Sequence, residues 1–586
     1  MSRGFGKENA LIVGQLSRPT REMNAQLTEG SFQGRISALD PNCNPPFAAR
    51  LNNSSPRVKV IDPKDCSLKG VQLNRISVTK NSSSAPRVSI STTDLNRPCA
   101  SRWHRLGAGA AVFLICIAAS STSAAQTVTT LLSFGATGPS LPVWGLVQGT
   151  DGNFYGTSAH GGTSDVGTVF KMTPQGNLTT LHSFCSKSCT EGQYPYSGLV
   201  LGTDGNFYGT TDVGGATSHP DGTVFKITPQ GALTTLYTFC SQPGCTDGAY
   251  PRAPVVQGAD GNFYGTTYEG GTNNLGAVFR ISPQGHLTTL YSFCSLPGCA
   301  DGQLPTSAGL LRGADGNFYG TTPIGGANGD YGTVFKLTSA GKFTTIYSFC
   351  SQTDCADGIY PYGLVQATNG NIYGTTAAGG LCPYSAQGCG TVFEITLSGK
   401  LITLYNFCSQ ENCPDGANPA GPLQLASDGN FYGVTDQGGE SKNGTSNGGT
   451  IFKITPAGKL TTLYAFCSLA DCADGADPNA LVQGTGGSFW GLTDFGSGTV
   501  FKFAAGLGPF VETIPRSRKV GGTVTVLGNS LTDSTSVSFN GTAAAFTVVS
   551  GSEITATVPT DATTGKVKVV TTHGTLVSNV PFTVIP

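Results

Sequence analysis

Hydrophobic and polar positions alternate in short runs that recur seven times between residues 127 and 503. The clearest run is Asp-Gly-Asn-Phe-Tyr-Gly, followed by Gly-Gly, Gly-Thr-Val-Phe-Lys-Ile and Thr-Pro-x-Gly-x-Leu-Thr-Thr-Leu-Tyr-x-Phe. Its copies and variants start 53 to 59 residues apart, at Asp151, Asp204, Asp260, Asp315, Asn369, Asp428 and Gly486. Alternating runs of this length, separated by glycine-containing turns, predict short β-strands.

Each repeat predicts four strands and two unlike edges. Strands one and two meet at Asp-Gly, a strong signal for a two-residue hairpin. Strands three and four meet at Pro-Gln-Gly or Ala-Gly, so both tight turns fall on the same rim. The opposite rim carries loops that differ in length and content between copies, as between Asp436 and Gly449. Long variable loops opposite short repeated turns predict a binding face.

The order of elements predicts how the array ends. The seventh copy stops after its third strand, Gly498–Phe503, and the missing fourth strand, Thr127–Phe134, precedes the first copy. A ring whose last sheet is completed by the first strand has no open sheet edge, whereas a solenoid gains nothing from this arrangement. The sequence therefore predicts an all-β fold, with a seven-bladed β-propeller over residues 126–506.

Residues 507–586 show a different alternation. Apolar residues alternate through Thr523–Leu527, Ile554–Val558 and Lys566–Val570, between turn signals, which predicts an immunoglobulin-like β-sandwich. The stretch resembles the IPT/TIG domain, down to Gly-x-x-Val-Thr-Val-x-Gly and Thr-Val-Pro. The resemblance implies a spacer or adhesive module.

The N-terminal residues predict export. Residues 103–125 combine a basic flank, a short apolar run and small residues, the pattern of a signal peptide. Residues 1–102 are polar and aperiodic, and we expect them to be disordered or untranslated; a cytoplasmic tail on an uncleaved anchor is the alternative. We expect a secreted, cell-surface or periplasmic protein with no stable membrane span after signal cleavage.

Charge narrows the class of partner. The whole chain has a net charge of −1, but residues 126–586 hold 18 basic against 28 acidic residues, a net charge of −10. They lack the basic stripe that nucleic-acid binding requires. We therefore expect no nucleic-acid partner.

Fourteen of the 18 cysteines form close pairs in the repeats. The pairs are Cys185 with Cys189, Cys240 with Cys245, Cys294 with Cys299, Cys350 with Cys355, Cys382 with Cys389, Cys408 with Cys413, and Cys467 with Cys472. Even numbers at recurring spacing in an exported chain predict disulfides. A metal site would require Cys-x-x-Cys spacing or accompanying histidines. We expect neither a metal nor a cofactor.

Residues 127–503 resemble the GloVer tandem-repeat proteins of the choice-of-anchor type. The resemblance rests on Gly-Leu-Val, Gly-Asn-Phe-Tyr-Gly-Thr-Thr, Gly-Gly and Gly-Thr-Val-Phe-Lys, which recur in nearly every copy. It implies a bacterial surface protein of unassigned activity.

Function is expected where the copies differ. The candidate ligand-binding residues on the variable loops are His160, Asp212, His219, Tyr268, Glu269, Tyr331, Asp436 and Asp494. Tyrosines and carboxylates around a ring mouth suit a polar ligand such as a glycan or a peptide, and loop residues without a ligand are the alternative. The repeated Asp-Gly and Phe residues are expected to be structural. The cation on strand three, such as Lys171, is expected to snorkel or to pair between blades.

One enzyme remains as the alternative. The repeat also resembles streptogramin lyase propellers, which use a metal with a His and a Glu, and a glycan-active propeller enzyme belongs to the same alternative. His182 replaces a tyrosine on strand four and His286 lies in a tight turn, which leaves His160 and His219. No paired-carboxylate or Glu-x-x-His pattern accompanies them, so we predict no catalytic residue.

Overall fold

The computed structural model describes residues 126–585, apart from 136–138, 187–188, 217–220, 306–307, 386–387, 420, 441–447 and 496–497, and only the backbone of 143–144. Before residue 126 it describes only the backbone of seven strands, in a separate compact unit, Met1–Ser123. They are Leu11–Ile12, Arg35–Ala38, Phe47–Leu51, Val58–Val60, Gln72–Thr79, Arg87–Ile90 and Leu114–Ile117. The predicted leader and signal peptide otherwise lie outside the described residues.

Seven four-stranded antiparallel sheets follow, here called blades 1 to 7. Blade 1 consists of Pro139–Gln148, Phe154–Gly161, Thr168–Met172 and Leu178–Ser183. Blade 2 consists of Val200–Leu201, Phe207–Thr211, Thr223–Ile227 and Leu233–Thr238. Blade 3 consists of Val256–Gln257, Phe263–Thr267, Ala277–Ile281 and Leu287–Ser292. Blade 4 consists of Leu311–Arg312, Phe318–Thr322, Thr333–Leu337 and Phe343–Ser348. Blade 5 consists of Ile359–Gln366, Ile372–Ala378, Thr391–Ile395 and Leu401–Asn406. Blade 6 consists of Gln424–Leu425, Phe431–Thr435, Thr450–Ile454 and Leu460–Ala465. Blade 7 consists of Pro478–Gln483, Phe489–Thr493, Thr499–Ala504 and Thr127–Ser133.

The N-terminal strand completes the last blade. Thr127–Ser133 pairs antiparallel with Thr499–Ala504, in a register that places Val128 opposite Phe503. The predicted permutation is therefore confirmed.

Neighbouring blades share apolar clusters in cyclic order, and blade 7 shares one with blade 1. In six of these clusters an aromatic ring of one blade packs on the phenylalanine of the next, as Tyr208 does on Phe263 at 3.9 Å between ring centroids, and in the cluster between blades 4 and 5 Ile372 replaces the phenylalanine. Trp490 and Phe154 do the same across the junction of blades 7 and 1, at 4.3 Å. The predicted all-β fold of seven repeated propeller blades is confirmed, and the repeated phenylalanines are core residues.

The repeated glycine of strand two is explained by packing against strand three. A Cβ atom on Gly209 would lie 2.6 Å from Cζ of Phe225, a separation that carbon atoms do not tolerate. Only glycine lets this buried ring cross the neighbouring strand.

The cation of strand three pairs within its own blade. Nζ of Lys171, Lys336 and Lys453 lies 3.2, 3.0 and 2.8 Å from the hairpin aspartate of the same blade. The expected pairing between blades is wrong, because antiparallel register places each lysine beside its own strand-two tyrosine and the Asp-Gly turn. These side chains are between a fifth and two fifths exposed to solvent, so each pair contributes little to stability.

Residues 507–585 form the predicted immunoglobulin-like sandwich, here called the C-terminal domain. Its strands are Glu512–Ile514, Ser517–Lys519, Thr523–Leu527, Ser534–Phe539, Thr542–Ala544, Phe546–Val548, Glu553–Thr557, Val567–Thr571, Gly574–Val577 and Thr583–Ile585. They form two four-stranded sheets and one parallel pair of strands. Val524, Val537, Ile554 and Phe582 are buried in the core between them.

Candidate functional site

The antiparallel blades give the ring two unlike faces. The turn face carries the tight turns between strands one and two and between strands three and four, and the loop face carries the strand two-to-three loops and the connections between blades. At six of the seven junctions between the described blades, the first strands of neighbouring blades contact one another. First strands are therefore the innermost, and their starting ends surround the mouth of the ring on the loop face.

The connections between blades are held by buried aspartates. Oδ2 of Asp247 accepts hydrogen bonds from the Tyr237 hydroxyl at 2.8 Å and from the Ser241 N–H at 2.9 Å. The pairs Tyr291–Asp301, Tyr347–Asp357, Tyr405–Asp415 and Tyr464–Asp474 repeat this contact. In blade 1 the pair is His182 and Glu191, with Nε2 and Oε1 3.3 Å apart. The carboxylates after strand four are therefore structural.

The seven predicted disulfides are all present. Six close the connection after strand four, and they join Cys185 to Cys189, Cys240 to Cys245, Cys294 to Cys299, Cys350 to Cys355, Cys408 to Cys413, and Cys467 to Cys472. The seventh departs from this position, because Cys382 and Cys389 close the strand two-to-three loop of blade 5. In blades 1 to 6 the connection after strand four is thereby closed within a few residues of the strand that it leaves.

Two groups in the described residues bring three potential metal-ligand atoms together. They are Cys382, Cys389 and Cys408, and Asp221, Cys240 and Cys245. All five sulfurs are disulfide-bonded, whereas a metal binds the thiolate. In this oxidised state neither group is suited to hold a metal ion.

A recurring x-Pro-x motif brings each connection back to the mouth. The residue before proline has a positive φ of 51° to 58° at Tyr194, Tyr250, Leu304, Tyr360, Asn418 and Asp477. At Tyr194, Tyr250, Asn418 and Asp477 its carbonyl accepts a hydrogen bond from the residue that follows strand two, as Tyr250 does from the Tyr268 N–H at 2.9 Å. The motif thereby places a variable residue of strand one beside a variable residue of strand two around the ring.

On blades 2 and 3 these residues form the Arg252 cluster: Asp212, Tyr250, Arg252, Tyr268 and Glu269. Nε of Arg252 donates to Oδ1 of Asp212 at 2.8 Å, and its guanidinium lies 4.4 Å from the centre of the Tyr268 ring. Burial opposes the charge of Arg252, but the hydrogen bond and charge of Asp212 outweigh it and raise the pKa of Arg252. The cluster presents aromatic faces and fixed charges together.

On blades 6 and 7 they form the acidic cluster: Asn418, Asp436, Asp477, Asn479 and Asp494. Nδ2 of Asn418 donates to Asp436 at 3.1 Å, and Nδ2 of Asn479 donates to Asp494 at 2.7 Å. Asp494 is solvent-accessible but surrounded by protein atoms, and this desolvation, with the charges of Asp436 and Asp477, raises its pKa to about 7. One carboxyl of the cluster is therefore partly protonated near neutral pH.

The predicted candidates divide between these clusters and other places. Asp212, Tyr268 and Glu269 belong to the Arg252 cluster, and Asp436 and Asp494 to the acidic cluster. The ring of His160 lies 5.3 Å from that of Tyr194, whose carbonyl accepts a hydrogen bond from the Asp212 N–H of the Arg252 cluster at 3.0 Å. Tyr331 instead packs against the apolar cluster between blades 4 and 5. His219 lies outside the described residues.

Arg252, Tyr250 and Asp477 were missed by the sequence reasoning. Their signal is present in the chain, because the x-Pro-x motif recurs with changing flanks: Tyr-Pro-Tyr, Tyr-Pro-Arg, Leu-Pro-Thr, Tyr-Pro-Tyr, Asn-Pro-Ala and Asp-Pro-Asn. A proline that recurs between residues that differ from copy to copy indicates positions whose side chains the fold exposes.

Comparison with known families agrees with this architecture. The profile of the Gloeobacter/Verrucomicrobia repeat matches residues 117–312 and 295–501. The chain belongs to the Gloeobacter/Verrucomicrobia repeat family. In this repeat protein the IPT/TIG domain profile also matches residues 510–584. Repeats and an IPT/TIG domain are typical of surface or binding proteins. No curated protein matches the chain.

Three solved structures that are similar to this repeat protein share little sequence with it. A luciferin-regenerating enzyme is 13% identical, with a TM-score of 0.32 over 52% of this chain and 89% of its own. A protein of unknown function from Bacteroides thetaiotaomicron is 11% identical, with a TM-score of 0.31 over 83% and 98%. Puromycin hydrolase is 12% identical, with a TM-score of 0.39 over 61% and 50%. The activities of these proteins therefore say nothing about this chain.

Proposed function

We propose that the chain is an exported, non-catalytic binding or adhesion protein whose loop face binds a polar ligand, such as a glycan or a peptide. The observation that carries the proposal is the pair of clusters at one mouth, where the x-Pro-x motif displays residues that differ between blades. Disulfides in this number fit an extracellular location. In the described part of the chain, no helix is long and apolar enough to span a membrane.

The Arg252 cluster is the proposed contact for the ligand. The Tyr268 and Tyr250 rings offer faces for the C–H groups of a sugar or for a peptide side chain, and Glu269 offers a hydrogen-bond acceptor. Asp212 holds Arg252 against Tyr268, so the cluster is ordered before a ligand arrives. Such preorganisation reduces the entropy lost on binding.

A glycan array followed by calorimetric titration tests the proposal on the purified chain. We expect saturable binding that Tyr268→Ala or Glu269→Gln weakens by about tenfold or more, as losses at central aromatic contacts do. Lys400→Ala changes an exposed residue of a tight turn on the opposite face and serves as the matched control. Binding that these mouth variants leave unchanged contradicts the proposal.

One observation favours a glycan-active enzyme as the second candidate. An accessible carboxyl with a pKa of about 7, at Asp494, is suited to general acid catalysis, and Asp436 and Asp477 stand beside it. On this hypothesis, an oligosaccharide that the array identifies is cleaved with a rate that falls above pH 7. Asp494→Asn abolishes the cleavage but retains the binding. Binding without turnover in the native chain excludes this candidate.

A further inference from the structure

We propose that the C-terminal domain is a fixed cap on the turn face of the ring, so that a ligand reaches the mouth only from the loop face. The family resemblance implies a spacer or adhesive module, which would move independently of the ring. The contacts between the two domains indicate instead that the C-terminal domain keeps one fixed position on the ring.

Apolar contacts fasten the C-terminal domain on two sides of the ring. Leu527, 3% exposed, and Ile514 pack into the apolar cluster between blades 1 and 2. Val580 packs into the cluster between blades 5 and 6. Leu527 contributes to the cluster in the ring rather than to the core of its own domain. Its burial therefore stabilises the contact between domains.

Polar contacts reach further blades. The Ser552 hydroxyl donates to the Thr150 carbonyl of blade 1 at 2.6 Å, and Nη2 of Arg312 in blade 4 donates to the Ser517 hydroxyl at 2.5 Å. In blade 7, Thr485 donates its hydroxyl to Oδ1 of Asn529 at 3.0 Å. All these ring residues lie at or beside the hairpins between strands one and two. The C-terminal domain thus covers the inner part of the turn face.

The ring sequence is adapted to this contact at one repeated position, the last residue of strand one. In four blades it is a glutamine that joins its own turn to the preceding blade, as Gln257 does by accepting from the Thr203 N–H at 3.0 Å and donating to the Gly261 carbonyl at 3.1 Å. The four are Gln148, Gln257, Gln366 and Gln483. The residues of blades 2, 4 and 6 are Leu201, Arg312 and Leu425.

All three exceptions contact the C-terminal domain. Leu201 shares an apolar cluster with Leu527, Arg312 binds Ser517, and the Leu425 carbonyl accepts from Nδ2 of Asn579 at 3.5 Å. At these three positions a contact with the C-terminal domain takes the place of the glutamine, whereas blades 1 and 7 keep Gln148 and Gln483 and contact the domain through Thr150 and Thr485.

The segment between the domains is also fixed. Strand three of blade 7 ends at Ala504, and Leu507 packs into the cluster between blades 6 and 7. The Phe510 N–H donates to the Thr485 carbonyl at 2.9 Å. A linker held this way leaves no free length for the domain to swing away.

Hydrogen exchange of the full chain, read at the Phe510 amide, tests the cap. We expect strong protection in the wild type. Leu527→Asp should speed exchange there by roughly tenfold or more, because the buried contact is lost. Arg312→Gln, which restores the residue of four other blades, should speed it as well while leaving the blade amides protected. Val570→Asp places the same charge on an exposed strand of the C-terminal domain and is the matched control.

Two results overturn the proposal. One is fast exchange at Phe510 in the wild type, which is expected of an independently moving spacer. The other is an unchanged rate in both Leu527→Asp and Arg312→Gln. Because the readout requires no ligand, its failure is distinguishable from failure of the proposed function.

Discussion

The buried aspartates that hold the connections between blades should determine the stability of the loop face. Asp301 is 0% exposed and accepts hydrogen bonds from the Tyr291 hydroxyl at 2.6 Å and from the N–H groups of Ser295 and Leu296 at 2.8 and 3.1 Å. Burial, and then the hydrogen bond to Asp301, raise the pKa of Tyr291, so this hydroxyl stays protonated and donates. Asp301→Ala leaves three donors without their acceptor.

The expected cost follows from these three bonds. A buried donor without its partner costs about 1–3 kcal/mol, and loss of the carboxylate's own desolvation returns part of this, so we expect about 4 kcal/mol. For a ring of about 380 residues the entropy of unfolding is about 0.8 kcal/mol/K, and the melting temperature should fall by about 5 °C.

Calorimetry of Asp301→Ala beside Asp330→Ala measures this effect. Asp330 is an exposed loop aspartate whose Oδ1 accepts a surface hydrogen bond from Nε2 of Gln303 at 3.2 Å, so its variant should stay within about 1 °C of the wild type. If Asp301→Ala also melts within a degree of the wild type, the disulfide Cys294–Cys299 alone holds the connection and the reasoning is refuted.

Two further predictions concern a glycine packed against an aromatic ring and a carboxyl group with a raised pKa. Gly209→Ala forces a Cβ atom against the Phe225 ring and should cost about 1–3 kcal/mol, whereas Gly508→Ala, with open space around it, should be neutral by the same melting assay. The pKa of Asp494 is raised from 3.8 to about 7, so its contribution to stability is complete below pH 4 and is lost as the pH rises toward 7. Asp494→Asn should therefore melt slightly higher than the wild type at pH 8 and converge with it at pH 4; the opposite order of melting temperatures at pH 8 would show that the carboxylate is stabilised in the fold.

Repetition explains why the fold could be predicted from the sequence. Seven copies of one strand pattern show the turns, the buried faces and the permuted strand directly, and the cysteine pairs recur with them. The pairing of His182 with Glu191 was also predictable, because both residues depart together from the Tyr and Asp of other copies. Positions that recur, or that change together, from copy to copy therefore predict the contacts that every blade makes.

The candidate site was only half predictable. Asp212 and Tyr268 follow strand two and were found as variable positions, but Arg252 reaches them across a connection whose path depends on a positive φ before proline. The contacts of Arg312 and Leu527 join segments more than 200 residues apart, and no local pattern predicts that distance. Contacts between segments that share no repeated pattern can be found only from the three-dimensional structure.

The strand Thr127–Ser133 also imposes an order of events on the nascent chain. Its partner Thr499–Ala504 is synthesised last among the strands of the ring, so the first strand must remain unpaired while six other sheets become available. Until that late pairing, both termini of the array expose unsatisfied N–H and C=O groups that neighbouring molecules can bind. A chain truncated before residue 499 would keep this edge unpaired, and we expect it to aggregate rather than to form a smaller closed ring.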